Sequence, residues 1–366
     1  MNRLRSLDVL RGFDMFFIIG GAGLVAALCT AFGCGDGWLA RQMEHVPWAG
    51  LAHHDTIFPL FLFLAGVTWP ISLASRRARG DSEWAIHLKV VQRAVTLFLI
   101  GLSFGGILRF DPCFRIPSVL GQIGLAWGGA ALVYLHVKSM RGRLLVIAAI
   151  LVSTWVVMTL LVAPDSAAGA DAFARDANII SWLDRTLMPN HIYVKGVYDP
   201  ESLFSVPNAV ALALMGMCAG AVLTGMRDAP GRRVRTLSLA AVALLLLGGF
   251  FLFVLDEPSV KALWTGTFVL FAGAYSVAML ALFHWLIDIR GWTRGTEYFR
   301  LVGQNSITVY CFMMTGLLGY LGQYFFAGVQ GAVGETWGGV VRAAGELLIG
   351  GLFVWFLDRK NIRLKV

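Results

Sequence analysis

The sequence predicts an all-α, polytopic integral membrane protein: a single transmembrane domain over residues 1–366, built of about ten transmembrane helices with both termini in the cytoplasm. Three observations carry that expectation. Of 366 residues, 57% are hydrophobic and 14% charged, against roughly 45–50% and about 25% in soluble domains; mean hydropathy is +0.71. Uncharged runs of about twenty residues recur, each long enough as a helix to cross the ~30 Å hydrocarbon layer. Basic residues gather after every second run, the distribution that marks cytoplasmic loops.

The runs centre near 12–31, 56–75, 93–109, 118–136, 144–163, 204–225, 236–255, 261–285, 300–318 and 339–357. Arg3, Arg5 and Arg11 flank the first. Arg76, Arg77, Arg79 and Lys89 follow the second, and Lys138, Arg141 and Arg143 the fourth. Arg227, Arg232, Arg233 and Arg235 follow the sixth, Arg290 and Arg294 the eighth, and Arg359, Lys360, Arg363 and Lys365 the tenth. Three segments then fall on the far side of the membrane: 32–55, "DPCFRIPS", and the long loop of about 164–203. That last loop carries Trp182, His191, Tyr193, Tyr198, Asp199 and Glu201, too many aromatics for a disordered linker.

The net charge of +8 belongs to these short clusters, so it argues for membrane orientation and against nucleic acid. The five cysteines form no CxxC pair and no metal spacing, and no disulfide is assigned from them. Asp8 and Asp14 interrupt the apolar stretch "RLRSLDVLRGFDMFFIIGG", so it reads as a retained first membrane helix rather than a signal peptide.

Four of the seven histidines, His45, His53, His54 and His191, lie in far-side loops. An imidazole titrates near neutrality and is the side chain best suited to take a proton there. In "HVPWAGLAHHDTIFPLFLFLAGV" (45–67), Trp48 is an interfacial aromatic. Thr56 is placed to N-cap the second span, with Pro59 at the third helical position, where a missing N–H breaks no bond. Asp55 either orients an imidazole or an incoming ammonium, or is itself the cap. A metal held by His45, His53, His54 and Asp55 matches no ligand motif, and none is expected. On the cytoplasmic side, Asp8, Arg11 and Asp14 recur every three residues, an acid–base–acid ladder that fits an ion-pair lattice or the edge of an anionic-ligand site. "LVGQNSITVY" (301–310) sets Gln304, Asn305 and Ser306 inside a span, for helix–helix hydrogen bonds or for a ligand.

Taken in order, five stretches resemble the transmembrane acyltransferase family of heparan-α-glucosaminide N-acetyltransferase and its bacterial relatives. They are "RLRSLDVLRGFDM"; the 45–67 stretch, which fits His-x-x-Trp-x-Gly-x-x-x-x-Asp-x-x-Phe-Pro-x-Phe; "RIPSVLGQIG"; "NHIYVKGVYDPESLFS"; and "GQNSITVY" with the basic tail "DRKNIRLKV". Ser118, Gly121 and Gln122 stand where the family has Gly, Gln and Arg, Ser202 where it has Gly, and "IIGGAGL" lacks the asparagine that lysosomal members carry before the histidine.

The resemblance implies transfer of acetyl from cytosolic acetyl-CoA to the amine of a glucosamine-type sugar on the far side. His45 would be general base or acetyl carrier, with Asp55 beside it. Arg115, Asp199 and Glu201 match family motifs; with Trp48, His191, Asn305, Ser306, Asp8, Arg11 and Asp14 they are the candidate substrate- or cofactor-binding residues. The resemblance suggests a homodimer, and the basic loops and absence of a targeting sequence suit a bacterial cytoplasmic membrane, the inner one if the host has two. The rival expectation is an amino-sugar transporter, suggested by Gly-rich and Pro-interrupted spans such as "GLSFGGILRF" and "GVTWPISL".

Overall fold

The computed structural model describes residues 4–226 and 229–362. Arg3, Arg227, Arg363 and Lys365 of the basic flanks lie outside these. The elements in chain order are α1 (Arg5–Phe16), α2 (Ala22–Ala31), α3 (Trp38–Arg41), α4 (His53–Ala78), α5 (Glu83–Phe104), α6 (Val119–His136), α7 (Met140–Leu160) and α8 (Ile179–Leu187). There follow α9 (Val206–Gly225), α10 (Pro230–Phe253), α11 (Gly266–Phe283), α12 (Glu297–Gln304), α13 (Ser306–Met314) and α14 (Leu317–Arg359). Among the described residues there are only isolated β-bridges, and nine helical segments are long and apolar enough to cross a membrane. The chain is an all-helical, multi-pass membrane protein.

Local chemistry sets the helix ends. Ser82, Ser118 and Ser139 accept N–H bonds from Ala85, Gly121 and Gly142, starting α5, α6 and α7. Between α1 and α2, Phe17–Gly21 widens into a π-turn with Gly20 at φ 151°, so the first span runs unbroken in sequence but bent. The expected ninth span, 300–318, is broken instead: Asn305 leaves helical geometry and divides α12 from α13. Conversely the 43 residues of α14 are two helices packed on each other, since a Cβ at Gly345 would lie 2.5 Å from the Phe326 ring and one at Gly322 2.9 Å from Glu346 Cγ. Gly334, at φ 76° and ψ 173°, divides them.

The chain falls into two compact units. The first comprises Met1–Val46, Ala52–Ile57 and Met279–Lys365; the second comprises Pro47–Leu51 and Phe58–Ala278. In the first unit, α1 and α12 meet backbone to backbone. A Cβ at Gly12 would sit 1.7 Å from the Phe299 carbonyl oxygen, and one at Gly303 only 1.8 Å from that of Asp8. In the second, Gly216 and Gly220 of α9 admit the backbone of α4 at Phe63 and Val67 in the same manner, the small-residue packing that membrane helices use in place of a hydrophobic drive.

The 161–202 segment of the second unit is folded. Met158, Phe173, Ile179, Ile180, Val260 and Leu263 form a buried core, with Trp48, Trp182 and Phe204 packed on it. Asn178 caps α8 through Ser181 N–H. In this folded cap Phe173 is part of the core and Trp182 packs on it, whereas Tyr193 is exposed.

Candidate active site

The first unit builds a histidine–carboxylate pair. α4 begins at His53, three residues before the expected cap, because Gln42 supplies partners from elsewhere: its Oε1 accepts His53 N–H at 2.9 Å and its carbonyl accepts His54 N–H at 3.0 Å. Thr56 is therefore not the N-cap; its hydroxyl donates to the His53 carbonyl at 2.8 Å. Pro59 lies deeper in the helix than expected, where it leaves the Asp55 carbonyl without an intrahelical N–H. Asp55 lies inside the first turn of α4, so it is not the N-cap. Oδ2 accepts the N–H groups of Ala52 and Val46 at 3.1 and 3.3 Å, while Oδ1 faces His45 Nδ1 at 2.7 Å.

Burial separates the partners. The Asp55 side chain is 1% exposed and that of His45 55%. The carboxylate is fixed by backbone donors and the helix N-terminus, and it holds an accessible ring through Nδ1. His54 stacks beside that ring, centroids 4.4 Å apart, and His53 packs on Phe17 at 4.5 Å. Among the described residues, no three or more His, Cys, Asp or Glu side chains are grouped as a metal ion would need.

The second unit gathers the other candidates from the long loop and the Arg115 segment. Arg115 forks onto two carboxylates. Its Nε meets Asp199 Oδ2 at 2.8 Å, and Nη2 pairs with both Asp199 and Glu201. Its guanidinium also lies 4.8 Å from the Tyr193 ring centre. Burial alone would lower the Arg115 value, but hydrogen bonds and charge from Asp199 and Glu201 hold it above the ordinary arginine range. Burial raises Glu201, with Arg115 opposing and Asp199 adding. His191 locks the segment bearing Arg115 through Phe114, its Nδ1 on that carbonyl at 2.7 Å, while Ile116 N–H donates to the His191 carbonyl at 2.9 Å. Trp48 anchors on the cap: its indole N–H donates to the Phe173 carbonyl at 2.9 Å, and its ring meets Tyr198 edge-on at 5.1 Å.

Asp8, Asp14, Asn305 and Ser306 lie in the first unit. Asp8 accepts from Gln304 Nε2 at 3.2 Å, and Asp14 is buried with no hydrogen bond to its Oδ2. Asn305 donates to the Leu301 carbonyl at 3.1 Å; its buried Oδ1 has no partner, and Ser306 is buried.

Sequence reading missed three participants. Gln42 carries no motif, since its role is a tertiary cap. Asp184 is buried under the Arg115 cluster, taking the Ser202 hydroxyl at 2.7 Å, and burial pushes it up to about 7. His284 and Asp288 form a second pair, Nδ1 to Oδ2 at 2.8 Å, which Ser6 joins through its hydroxyl. Their spacing of four on a helix was a readable signal.

No family model matches the chain. Two curated proteins are similar to it. Heparan-alpha-glucosaminide N-acetyltransferase of Homo sapiens is 24% identical over 363 residues, 84% of this chain and 52% of that protein; its Mus musculus counterpart is 25% identical over 365 residues, 84% and 53%. The chain thus spans about half the length of the curated relatives it matches. That similarity, running through most of the chain, relates it to the heparan-alpha-glucosaminide N-acetyltransferases.

Proposed function

We propose that the chain is a transmembrane N-acetyltransferase, one catalytic domain over residues 1–366. It moves acetyl from cytosolic acetyl-CoA to the amine of a glucosamine-type sugar on the far side of the membrane, as a homodimer in a bacterial inner membrane with both termini cytoplasmic. The observation that supports this reading is the exposed His45 ring held by the buried Asp55 carboxylate at 2.7 Å. A base so oriented keeps its Nδ1 proton on the carboxylate and takes a new one at Nε2.

In the direct route His45 removes a proton from the acceptor's ammonium. The neutral nitrogen attacks the thioester carbonyl carbon, the C–N bond forms, the C–S bond breaks, and the CoA sulfur leaves and is protonated. In the alternative route Nε2 itself takes the acetyl group and passes it to the amine. Asp55 stabilises the imidazolium in the first case and the acylated ring in the second. Arg115, Asp199, Glu201, His191 and Trp48 are assigned to binding the acceptor sugar. Arg11, flanked by Asp8 and Asp14, serves the donor's phosphates together with Asn305 and Ser306.

The test is purified protein in detergent with acetyl-labelled CoA and glucosamine. N-Acetylglucosamine forms with wild type and not with His45→Ala; a protein that only transports the amino sugar yields no new compound.

A further inference from the structure

The turn that ends α2 brings two cysteines together. Gly33 takes the left-handed conformation, φ 74°, and two nested hydrogen bonds close the turn. Cys34 N–H donates to the Cys29 carbonyl at 2.8 Å, and Gly33 N–H to that of Thr30 at 3.0 Å. This is the Schellman pattern, in which the third residue from the helix end and the second past its cap frequently meet through their side chains. Apolar groups usually make that contact. Here both residues are cysteines of the first unit, and their thiols lie close enough to interact. The two differ in access: Cys29 is 6% exposed, whereas Cys34 is open to solvent.

The 2.8 Å bond between the backbones of the same two residues, added to the covalent reach from each Cα, holds those Cα atoms within about 6.7 Å. A disulfide spans about 4.4–6.8 Å. We infer that Cys29 and Cys34 are a redox pair, closed by exchange with an external disulfide into an intramolecular bond that fixes the start of the segment carrying Gln42 and His45. Cys34, the exposed partner, reacts first. Its thiolate attacks one sulfur of the external disulfide, that S–S bond breaks, and one half leaves. Cys29 then attacks the Cys34 sulfur and expels the other half. Two protein thiols are oxidised, the external disulfide is reduced to two thiols, and these carry away the two protons. In the topology proposed above this end of α2 lies on the periplasmic side, where disulfides persist. The pairing itself rests neither on that orientation nor on acetyl transfer.

The experiment uses the full chain, purified reduced in detergent, with oxidised glutathione as the external disulfide. Remaining thiols are alkylated, and a chymotryptic digest, which cuts after Phe32 between the two cysteines, is mapped by mass. Wild type yields two peptides joined by a Cys29–Cys34 bond. Cys29→Ala stops after the first step and keeps glutathione on Cys34, while Cys34→Ser leaves Cys29 as a thiol. Hydrogen exchange of the 33–44 amides is slower in oxidised than in reduced wild type, and the same under both conditions in Cys34→Ser. Glutathione retained on Cys34 in wild type, Cys34 bonded to any other cysteine, or both thiols still alkylated after oxidation overturns the pair. Equal exchange of 33–44 in oxidised and reduced wild type overturns its hold on the segment leading to His45. Each readout is independent of whether wild type acetylates an amino sugar.

Discussion

One oxygen of Asp55 holds His45 Nδ1 at 2.7 Å while the other holds the Ala52 N–H at 3.1 Å, so a single carboxylate both holds the chain entering α4 and aims the ring. Because both oxygens accept, an amide cannot replace it. Asp55→Asn offers one acceptor for two donors and turns a donor toward the imidazole or toward the backbone. Acetyl transfer is expected to fall by about 10²–10⁴-fold, the range for a misdirected base. Stability falls by only about 1 kcal/mol, the scale of one hydrogen bond. Single-turnover rates and thermal midpoints on the same preparation separate the two. A large loss of stability with an unchanged rate assigns Asp55 to holding the backbone alone.

His45→Ala removes the ring but no packing core, since the side chain is half exposed. The variant is expected to fold, to bind CoA as wild type does, and to transfer no acetyl group. Mixing enzyme with labelled acetyl-CoA and no acceptor then chooses the route: label recovered on a peptide containing His45 identifies an acetyl-imidazole, and its absence with normal turnover identifies direct attack. Residual transfer above a hundredth of wild type in His45→Ala removes this side chain from the mechanism.

The parts of this architecture that the sequence displays are those set by local chemistry. Apolar runs mark the spans because a helix must satisfy its backbone inside hydrocarbon, and the serines before α5, α6 and α7 mark their starts. The start of α4 was misplaced by three residues because Gln42, outside the helix, supplies its cap. The same holds for the Arg115 cluster. "RIPSVLGQIG" and the Asp199–Glu201 loop were each visible, yet nothing local says that residues more than eighty apart share one guanidinium. Asn305 was noticed as polar inside a span, but the helix break it makes depends on neighbours the sequence does not show.

Arg115 is partly buried and its two carboxylates are buried, so removing it strands buried charge. Arg115→Ala is expected to destabilise the second unit by about 3–5 kcal/mol. Arg115→Lys restores charge but not the fork that reaches Asp199 and Glu201 together, and recovers less than half of that. Denaturation midpoints in detergent read the ranking wild type, Lys, Ala. Equal stability of the two variants means the fork geometry contributes nothing.

Asp184 makes stability depend on pH in a definite direction. Burial raises its carboxyl from 3.8 to about 7, Ser202 and Arg115 opposing and Asp199 adding. Between those values the folded protein keeps a proton that the unfolded chain has released, so stability declines as pH rises through the window and is fully present below it. The slope from this one group is about 1.4 kcal/mol per pH unit. Thermal midpoints of wild type and Asp184→Asn, measured from pH 4.5 to 8, should converge toward acid and separate toward neutrality, the variant being the less pH-sensitive. Parallel curves would mean that Asp184 titrates at its ordinary value.

The α1–α12 contact yields a test of how tightly the Asp8–Arg11–Asp14 ladder is held. A methyl at Gly12 would lie 1.7 Å from the Phe299 carbonyl oxygen, and since that atom is backbone no rotamer change relieves the clash. Gly12→Ala must separate the helices, breaking the approach at Gly303 as well, at about 1–3 kcal/mol. Gly23 of α2 is the control: nothing lies within 4 Å of its added Cβ, and Gly23→Ala is expected to be neutral or to stabilise by up to about 1 kcal/mol through helix propensity. If the ladder positions the acetyl donor, Gly12→Ala also raises the KM for acetyl-CoA and leaves that for glucosamine unchanged, because only α1 has moved. Equal rises in both KM values assign the effect to general loosening, and unchanged stability in Gly12→Ala refutes the close approach itself.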